Sequence, residues 1–308
     1  MAFTGAFAVA DEEPEDMDAT LVTIHGFWSS PSTWDKLVDV WSRDEALQGL
    51  RIRPFGYASP KRPVLPFSPT RVPDHDDIAQ TFATQYAVNL SAEDAVAIVT
   101  HSQGGLILQR FFAWMVSQGR ASELSRIFSV VMLACPNNGS DYMRSVRRAF
   151  RYNRHPQAAS LEVLDRQVAN TTRTVVQRIV NADQVTDHEC PIPIHVYAGD
   201  ADRIVLPASA QGAFPGASTV VGNHFSILDP AAPGNCTADV VRHHVREDLA
   251  RWRVAAAAEP ASSDRVDEAA PANAKYVVDV RHGQGVVVGD HAQVTQTFDT
   301  RSDAGEAG

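Results

Sequence analysis

Hydrophobic and polar positions along the chain follow two alternating repeats. Short apolar runs at residues 19–24, 95–99 and 128–134 have the hydrophobicity of buried parallel strands, and 193–198 and 218–221 read as two further strands. Residues 50–57 alternate as a half-buried strand does. Between these runs the spacing becomes helical. Trp34, Leu37, Val38 and Trp41 share one face, and helical patterns recur over 77–90, 106–115, 161–181 and 237–256. Prolines at 60, 63, 66, 69 and 73 make the segment between them a loop. Strands alternating with helices predict an α/β fold, a mostly parallel sheet flanked by helices on both faces.

The strand at 95–99 runs into Thr100-His101-Ser102-Gln103-Gly104-Gly105, and a helix starts at once. A serine on such a turn projects above the sheet edge. Gly104 and Gly105 let helix and strand approach closely, and the Gln103 N–H points at whatever the serine attacks. Taken alone, the same residues fit an ordinary strand–helix turn with a serine N-cap.

The stretch resembles the nucleophile elbow of the α/β-hydrolases, Gly-x-Ser-x-Gly, with Thr100 standing at the first glycine. That resemblance implies roles for three further loops. His25-Gly26-Phe27 follows the first strand, where the family places its second oxyanion donor, so Phe27 joins Gln103 as candidate oxyanion-hole residue; alternatively Gly26 only starts a turn and Phe27 packs. In Gly199-Asp200-Ala201-Asp202, the family pattern Gly-x-x-Asp selects Asp202 as the acid, with Asp200 as the alternative or as the cap of the turn. His224, on the loop leaving the last strand, is the base. His188 precedes the acid, His243 and His244 lie on the final helix, and His25 belongs to the oxyanion loop. The order Ser102, Asp202, His224 is the α/β-hydrolase order. Imidazole activates the hydroxyl, and the carboxylate fixes the imidazole tautomer.

The resemblance covers residues 21–256. Cys135-Pro136-Asn137-Asn138-Gly139-Ser140 resembles the Thr-Pro-His-x-Gly-Ser loop of lipases and GPI inositol-deacylase-like esterases. It implies a serine esterase or lipase that uses no metal and no organic cofactor. An acyltransferase or amidase on the same residues, or a catalytically idle hydrolase fold used in signalling, are the alternative functions.

Composition narrows the partners. Among 308 residues, 44% are hydrophobic, and the net charge of -10 argues against general nucleic-acid binding. No apolar run reaches the ~18 residues of a membrane span. Residues 1–18 begin apolar, lack a basic start and end acidic, so they read as a leader without a secretory signal. Cys135, Cys190 and Cys236 have no metal spacing and read as reduced residues of a cytoplasmic protein. Residues 140–187 read as a helical cap within a hydrolase domain of 19–256. Its arginines at 144, 147, 148, 151 and 154 form either a solvated helix face or a contact with anionic lipid at a membrane surface.

Periodicity is lost over 257–274, a flexible linker of Ala, Glu, Asp, Pro and Ser. Residues 275–299 turn β-prone, and 300–308 form a polar, disordered end. Gly285-Val286-Val287-Val288-Gly289-Asp290 and Gln293-Val294-Thr295-Gln296-Thr297-Phe298 resemble the bacterial amyloid signalling, RHIM-like motifs. The resemblance implies self-assembly, or an NLR-type receptor as partner, and an effector of bacterial immunity or cell death. The plainer readings are a disordered tail or a hairpin laid on the hydrolase domain.

Overall fold

The structure, a computed structural model, describes residues 18–27, 29–59, 73–90, 93, 95–137, 161–211 and 214–258. The arginine-rich segment at 144–154, most of the proline loop, and the linker and β-prone tail from 259 onward lie outside the described residues. Contacts divide the chain between Ala256 and Ala257.

Six strands form one parallel sheet: β1 (Ala19–Ile24), β2 (Leu50–Phe55), β3 (Val96–His101), β4 (Ile127–Leu133), β5 (Ile194–Gly199) and β6 (Ser218–Val220), in the order β2-β1-β3-β4-β5-β6. Register brings the carboxyl ends together. Ile24 lies beside Thr100, His101 beside Leu133, Leu133 beside Tyr197, and Gly199 beside Val220. Loops leaving β1, β3, β5 and β6 therefore open along one edge, where α/β sheets carry their sites. The pairing of β3 with β4 shifts by one residue at Val96/Ala97, a bulge at the start of the strand.

Alternation along the strands feeds two cores. Val22, Ile24, Val96, Ile98, Val130 and Met132 face one side, and Leu21, Ala97, Val99, Phe128, Val131 and Leu133 the other. On the first side lie α2 (His75–Asn89), α3 (Gln103–Ser117) and α4 (Leu161–Val175, continued by a π turn over Val176–Val180). Phe82, Phe111 and Phe112 fill this core in tilted and edge-on contacts, and truncating such a ring to Ala costs about 3–5 kcal/mol. On the second side, α1 (Asp35–Ser42) buries Leu37 and Trp41, with Trp34 buried in the turn just before it, and α6 (Thr237–Ala258) buries Val241, Val245 and Leu249. A short helix, α5 (Pro207–Gln211), follows β5. Among the described residues no helix is long and apolar enough to cross a membrane.

Helix α2 begins two residues before the apolar periodicity does. The Asp77 N–H donates to Asp74 Oδ1 and the Asp74 N–H to Asp77 Oδ2, both at 2.9 Å, which closes a capping box. At the edge of the sheet, Glu93 accepts hydrogen bonds from Thr20 and from the guanidinium groups of Arg51 and Arg53.

Under α6 lies a buried polar cluster. Asp248 Oδ2 accepts from Ser129 Oγ at 2.6 Å and pairs with His195 Nε2 at 2.7 Å, while Arg251 pairs with the other oxygen. The His195 ring stacks on His244 at 3.6 Å, and His244 Nε2 meets the Tyr197 hydroxyl at 2.7 Å. Burial, reinforced by the neighbouring His195, pulls the His244 pKa from 6.5 down to about 4. His25, His75 and His101 shift in the same direction, each chiefly through burial. A histidine that holds its proton less tightly when folded contributes stability above the unfolded pKa, and that contribution disappears as pH falls through the folded value. The urea midpoint measured by far-UV circular dichroism should fall as pH is lowered from about 6.5 to about 4, and His244→Phe should make that slope shallower. An unchanged slope in His244→Phe would assign the acid sensitivity to other groups.

Candidate active site

Ser102 stands between β3 and α3 with φ +54 and ψ -124, one of two non-glycine residues with positive φ among the described residues. Such backbone costs roughly 1–3 kcal/mol and persists only where the surroundings impose it. Here the surroundings are backbone. The Ser102 N–H donates to the Leu133 carbonyl at 3.0 Å, and its own carbonyl accepts from the Gly105 N–H at 3.1 Å. Three glycines make the squeeze feasible. A Cβ on Gly26 would lie 2.8 Å from Ser102 Cβ, one on Gly104 would lie 2.5 Å from the Ile24 carbonyl oxygen, and one on Gly105 would run into Cys135 Sγ. Thr100 fits at the position where the elbow pattern has glycine because its hydroxyl packs against Cys135 Sγ at 3.3 Å. The Thr100 side chain is thus taken up between β3 and the loop after β4, away from the turn.

The structure brings Ser102, His224 and Asp202 into one hydrogen-bonded row. His224 Nε2 lies 3.0 Å from Ser102 Oγ, and His224 Nδ1 lies 2.8 Å from Asp202 Oδ2. Asp202 is buried, and its second oxygen accepts the N–H groups of Ile204 at 2.7 Å and Val205 at 3.0 Å. With one oxygen held by two backbone donors, the other is aimed at the imidazole. An ionised carboxylate only accepts, so it selects the tautomer with the proton on Nδ1 and leaves Nε2 as an acceptor for the serine hydroxyl. Asp200 is placed elsewhere: its Oδ1 accepts the Gly222 N–H at 2.9 Å, tying the loop after β5 to the loop after β6.

Phe27 follows Gly26 on the loop that touches Ser102 Cβ, and Gln103 is the first residue of α3. The first N–H groups of a helix have no intrahelical acceptor, so the Gln103 N–H at this terminus is a donor of the kind that stabilises an anion. Its side chain points away from Ser102. Gln103 Nε2 lies 2.8 Å from His75 Nε2, and Gln103 Oε1 lies 3.4 Å from the Tyr57 hydroxyl oxygen. Tyr57 donates its hydroxyl proton to the His25 carbonyl at 2.8 Å and stacks on the His25 ring at 4.1 Å. Tyr57 therefore holds the first residue of that loop by both its carbonyl and its ring.

Sequence reasoning missed Tyr57, His75 and the contact of His101 with His224. Only His101, beside the serine, was within reach of a motif; the other two come from distant segments. His188 meets the Val116 carbonyl at 3.1 Å, and His243 and His244 lie on α6. Of the region read as a cap, α4 is described. Thr172 donates to Gln109 Oε1 at 2.8 Å, and Gln109 Nε2 donates to Asn137 Oδ1 at 2.8 Å, which pins α4 to α3 and to the loop after β4. Among the described residues no group of three or more His, Cys, Asp or Glu side chains could hold a metal ion.

A six-stranded parallel sheet with a strained serine on the turn after its third strand defines the class: an α/β fold of the hydrolase type. The chain matches the model of the alpha/beta hydrolase family over residues 21–294 and belongs to that family. It is similar to several solved structures. The RedJ thioesterase from the prodiginine biosynthetic pathway in Streptomyces coelicolor shares 15% identity over 78% of this chain and 90% of that one, with a TM-score of 0.41. An extracellular alpha/beta-hydrolase from a Paenibacillus species shares 14% over 73% and 98%, with a TM-score of 0.43. Human thioesterase 2 shares 10% over 76% and 97%, with a TM-score of 0.42. No curated protein sequence matches the chain.

Gly26→Ala tests how tightly the turn is enclosed. The added methyl group at 2.8 Å from Ser102 Cβ should cost about 1–3 kcal/mol in denaturant unfolding and slow the reaction of Ser102 with a fluorophosphonate probe. Unaltered stability together with an unaltered labelling rate would show that the turn has room to spare.

Proposed function

We propose that this chain is a serine hydrolase that cleaves carboxylic esters through Ser102, His224 and Asp202. The supporting observation is the continuous row from Asp202 Oδ2 through His224 to Ser102 Oγ, with links of 2.8 and 3.0 Å. His224 Nε2 takes the hydroxyl proton as Ser102 Oγ adds to the ester carbonyl. The backbone N–H groups of Phe27 and Gln103 stabilise the resulting oxyanion. The proton then passes from His224 to the leaving alcohol, and an acyl-enzyme remains. Water attacks this ester in turn, deprotonated by His224, and the acid is released with Ser102 restored. Asp202 keeps its charge throughout and stabilises the imidazolium.

Apolar substituents on the ester suit the loops that carry these residues. Phe27 is exposed beside Gly26, Leu206 beside Val205, and Phe225 beside His224. This supports a lipid or lipid-like ester of the kind that the likeness of the 135–140 loop to lipases and GPI inositol-deacylase-like esterases implied.

For the C-terminal segment, outside the described residues, the sequence alone supports assembly. In the proposed arrangement, 283–298 stacks in register as cross-β, buries its valine and phenylalanine faces, and gathers hydrolase domains on flexible linkers as an effector of a bacterial defence or cell-death system. The partner is a second copy or a receptor carrying a like motif.

Wild type should react with a serine-directed fluorophosphonate and hydrolyse p-nitrophenyl esters, and Ser102→Ala should do neither, with turnover lower by several orders of magnitude. Asp202→Asn should lower kcat by about 10³–10⁴, whereas Asp200→Asn should leave most of it. Normal turnover in Ser102→Ala would overturn the reading. A peptide of residues 275–299 should give cross-β diffraction that Val287→Pro with Val294→Pro abolishes; a wild-type peptide that stays monomeric, alone or seeded, would remove the assembly.

A further inference from the structure

We propose that His101 is a positioning residue for the base: its ring holds the backbone of His224 so that the imidazole spans Ser102 and Asp202. This rests on the reading of Ser102 and His224 given above. His101 Nε2 lies 2.8 Å from the main-chain carbonyl oxygen of His224. A carbonyl can only accept, so Nε2 carries the proton and Nδ1 is a bare acceptor. That acceptor is buried, has no hydrogen-bond partner among the described residues, and faces the Cα of Gly26, where an added Cβ would lie 3.3 Å away. Buried polar atoms are paired as a rule, and an unpaired one calls for an explanation.

The neighbours of His101 sharpen the point. Val96, Ile98, Val99 and Thr100 of the same strand are wholly buried, and an apolar residue would serve packing at 101 without leaving an acceptor unpaired. Among the described residues the imidazole makes one hydrogen bond, and it goes to His224. On either side of His224 the loop is tied by its own turns. The Gly222 N–H donates to Asp200, and Asn223 Oδ1 accepts the N–H groups of Phe225 and Ser226, each at 3.0 Å. These contacts shape the loop, while His101 reaches the residue that carries the base. Because His101 ends β3 and Ser102 follows it directly in the chain, base and nucleophile are referenced to adjacent residues at the end of one strand. A shift of the β6 loop relative to β3 must break this bond before it can separate them.

The two imidazoles are close, with ring centroids 4.8 Å apart. During acylation His224 becomes a cation, and a charged neighbour at that distance would oppose the proton transfer. Burial keeps His101 neutral, well below the usual histidine range, so it supplies a donor without a competing charge.

Gln and Met at position 101 separate the donor from the volume, since the two side chains have nearly the same length and only Gln has an N–H. Wild type, His101→Gln, His101→Met, Ser102→Ala and His224→Ala are compared by kcat and KM for a p-nitrophenyl ester, by the rate of fluorophosphonate labelling, and by thermal midpoint. His101→Met should lose about tenfold or more in kcat and labelling rate with KM within about twofold, and His101→Gln should recover most of the loss at a similar thermal midpoint. Turnover in His101→Met equal to wild type overturns the proposal. So does a folded His101→Gln that falls below a tenth of wild type, a result that stands even if the Met variant does not fold. Normal turnover in Ser102→Ala or His224→Ala would instead overturn the hydrolase reading itself.

Discussion

The rest of the site depends on one backbone constraint, the left-handed conformation forced on Ser102. It arises where β3 must turn into α3 within a single residue, with the carboxyl end of β1 on one side and the loop after β4 on the other. Neither neighbour yields, because β1 is main chain of the sheet, Cys135 of the loop after β4 is wholly buried against Gly105, and two filled cores lie behind them. Strain at this residue is thus sustained by packing far larger than itself. It sets the hydroxyl on the ridge of the sheet, where loops from β5 and β6 can reach it.

Polar side chains around that ridge are arranged so that each holds a backbone group of a loop or of the short helix α5. Asp202 grips the amides after it, Asp200 grips the loop of the base, Tyr57 grips the carbonyl of His25, and Asn137 grips the carbonyl of Ala210. Bonds of this type fix position more than they add net stability, since each replaces a bond to water. The cluster beneath α6 does the same work on the other side of the sheet, and there the carboxylate of Asp248 gathers three donors. Neutral histidines recur in these places because an uncharged imidazole can be buried at tolerable cost and still accept and donate.

Much of this was legible in the chain. Apolar runs marked the central strands β1, β3 and β4, which are covered on both faces, alternation marked the edge strand β2, and the α/β architecture followed. The serine turn was readable because its glycines answer to local sterics that a short motif records. Thr100 looked like a departure from that motif only because its complement, Cys135, lies one strand away. The start of α2 was displaced for a similar reason: Asp74 and Asp77 set the boundary by reciprocal capping, while the hydrophobic repeat begins later. Tyr57, His75 and the bond from His101 to His224 were illegible because they are fixed by which loops meet, a property of register between strands rather than of spacing within them. Between Asp200 and Asp202 the family pattern pointed to the aspartate that meets His224, but the division of labour between the two rests on which amides each carboxylate faces.

The outer strands of the sheet carry a consequence for crowding. At one margin, β2 contains Pro54, which offers no N–H, and its outward arginines are drawn down onto Glu93; at the other, β6 runs for only three residues. A strand from another molecule would find few open hydrogen-bonding sites in a row on either margin. Copies of this domain held at high local density therefore have little means of zipping sheet to sheet, and each can remain a separate, folded unit beside its neighbours.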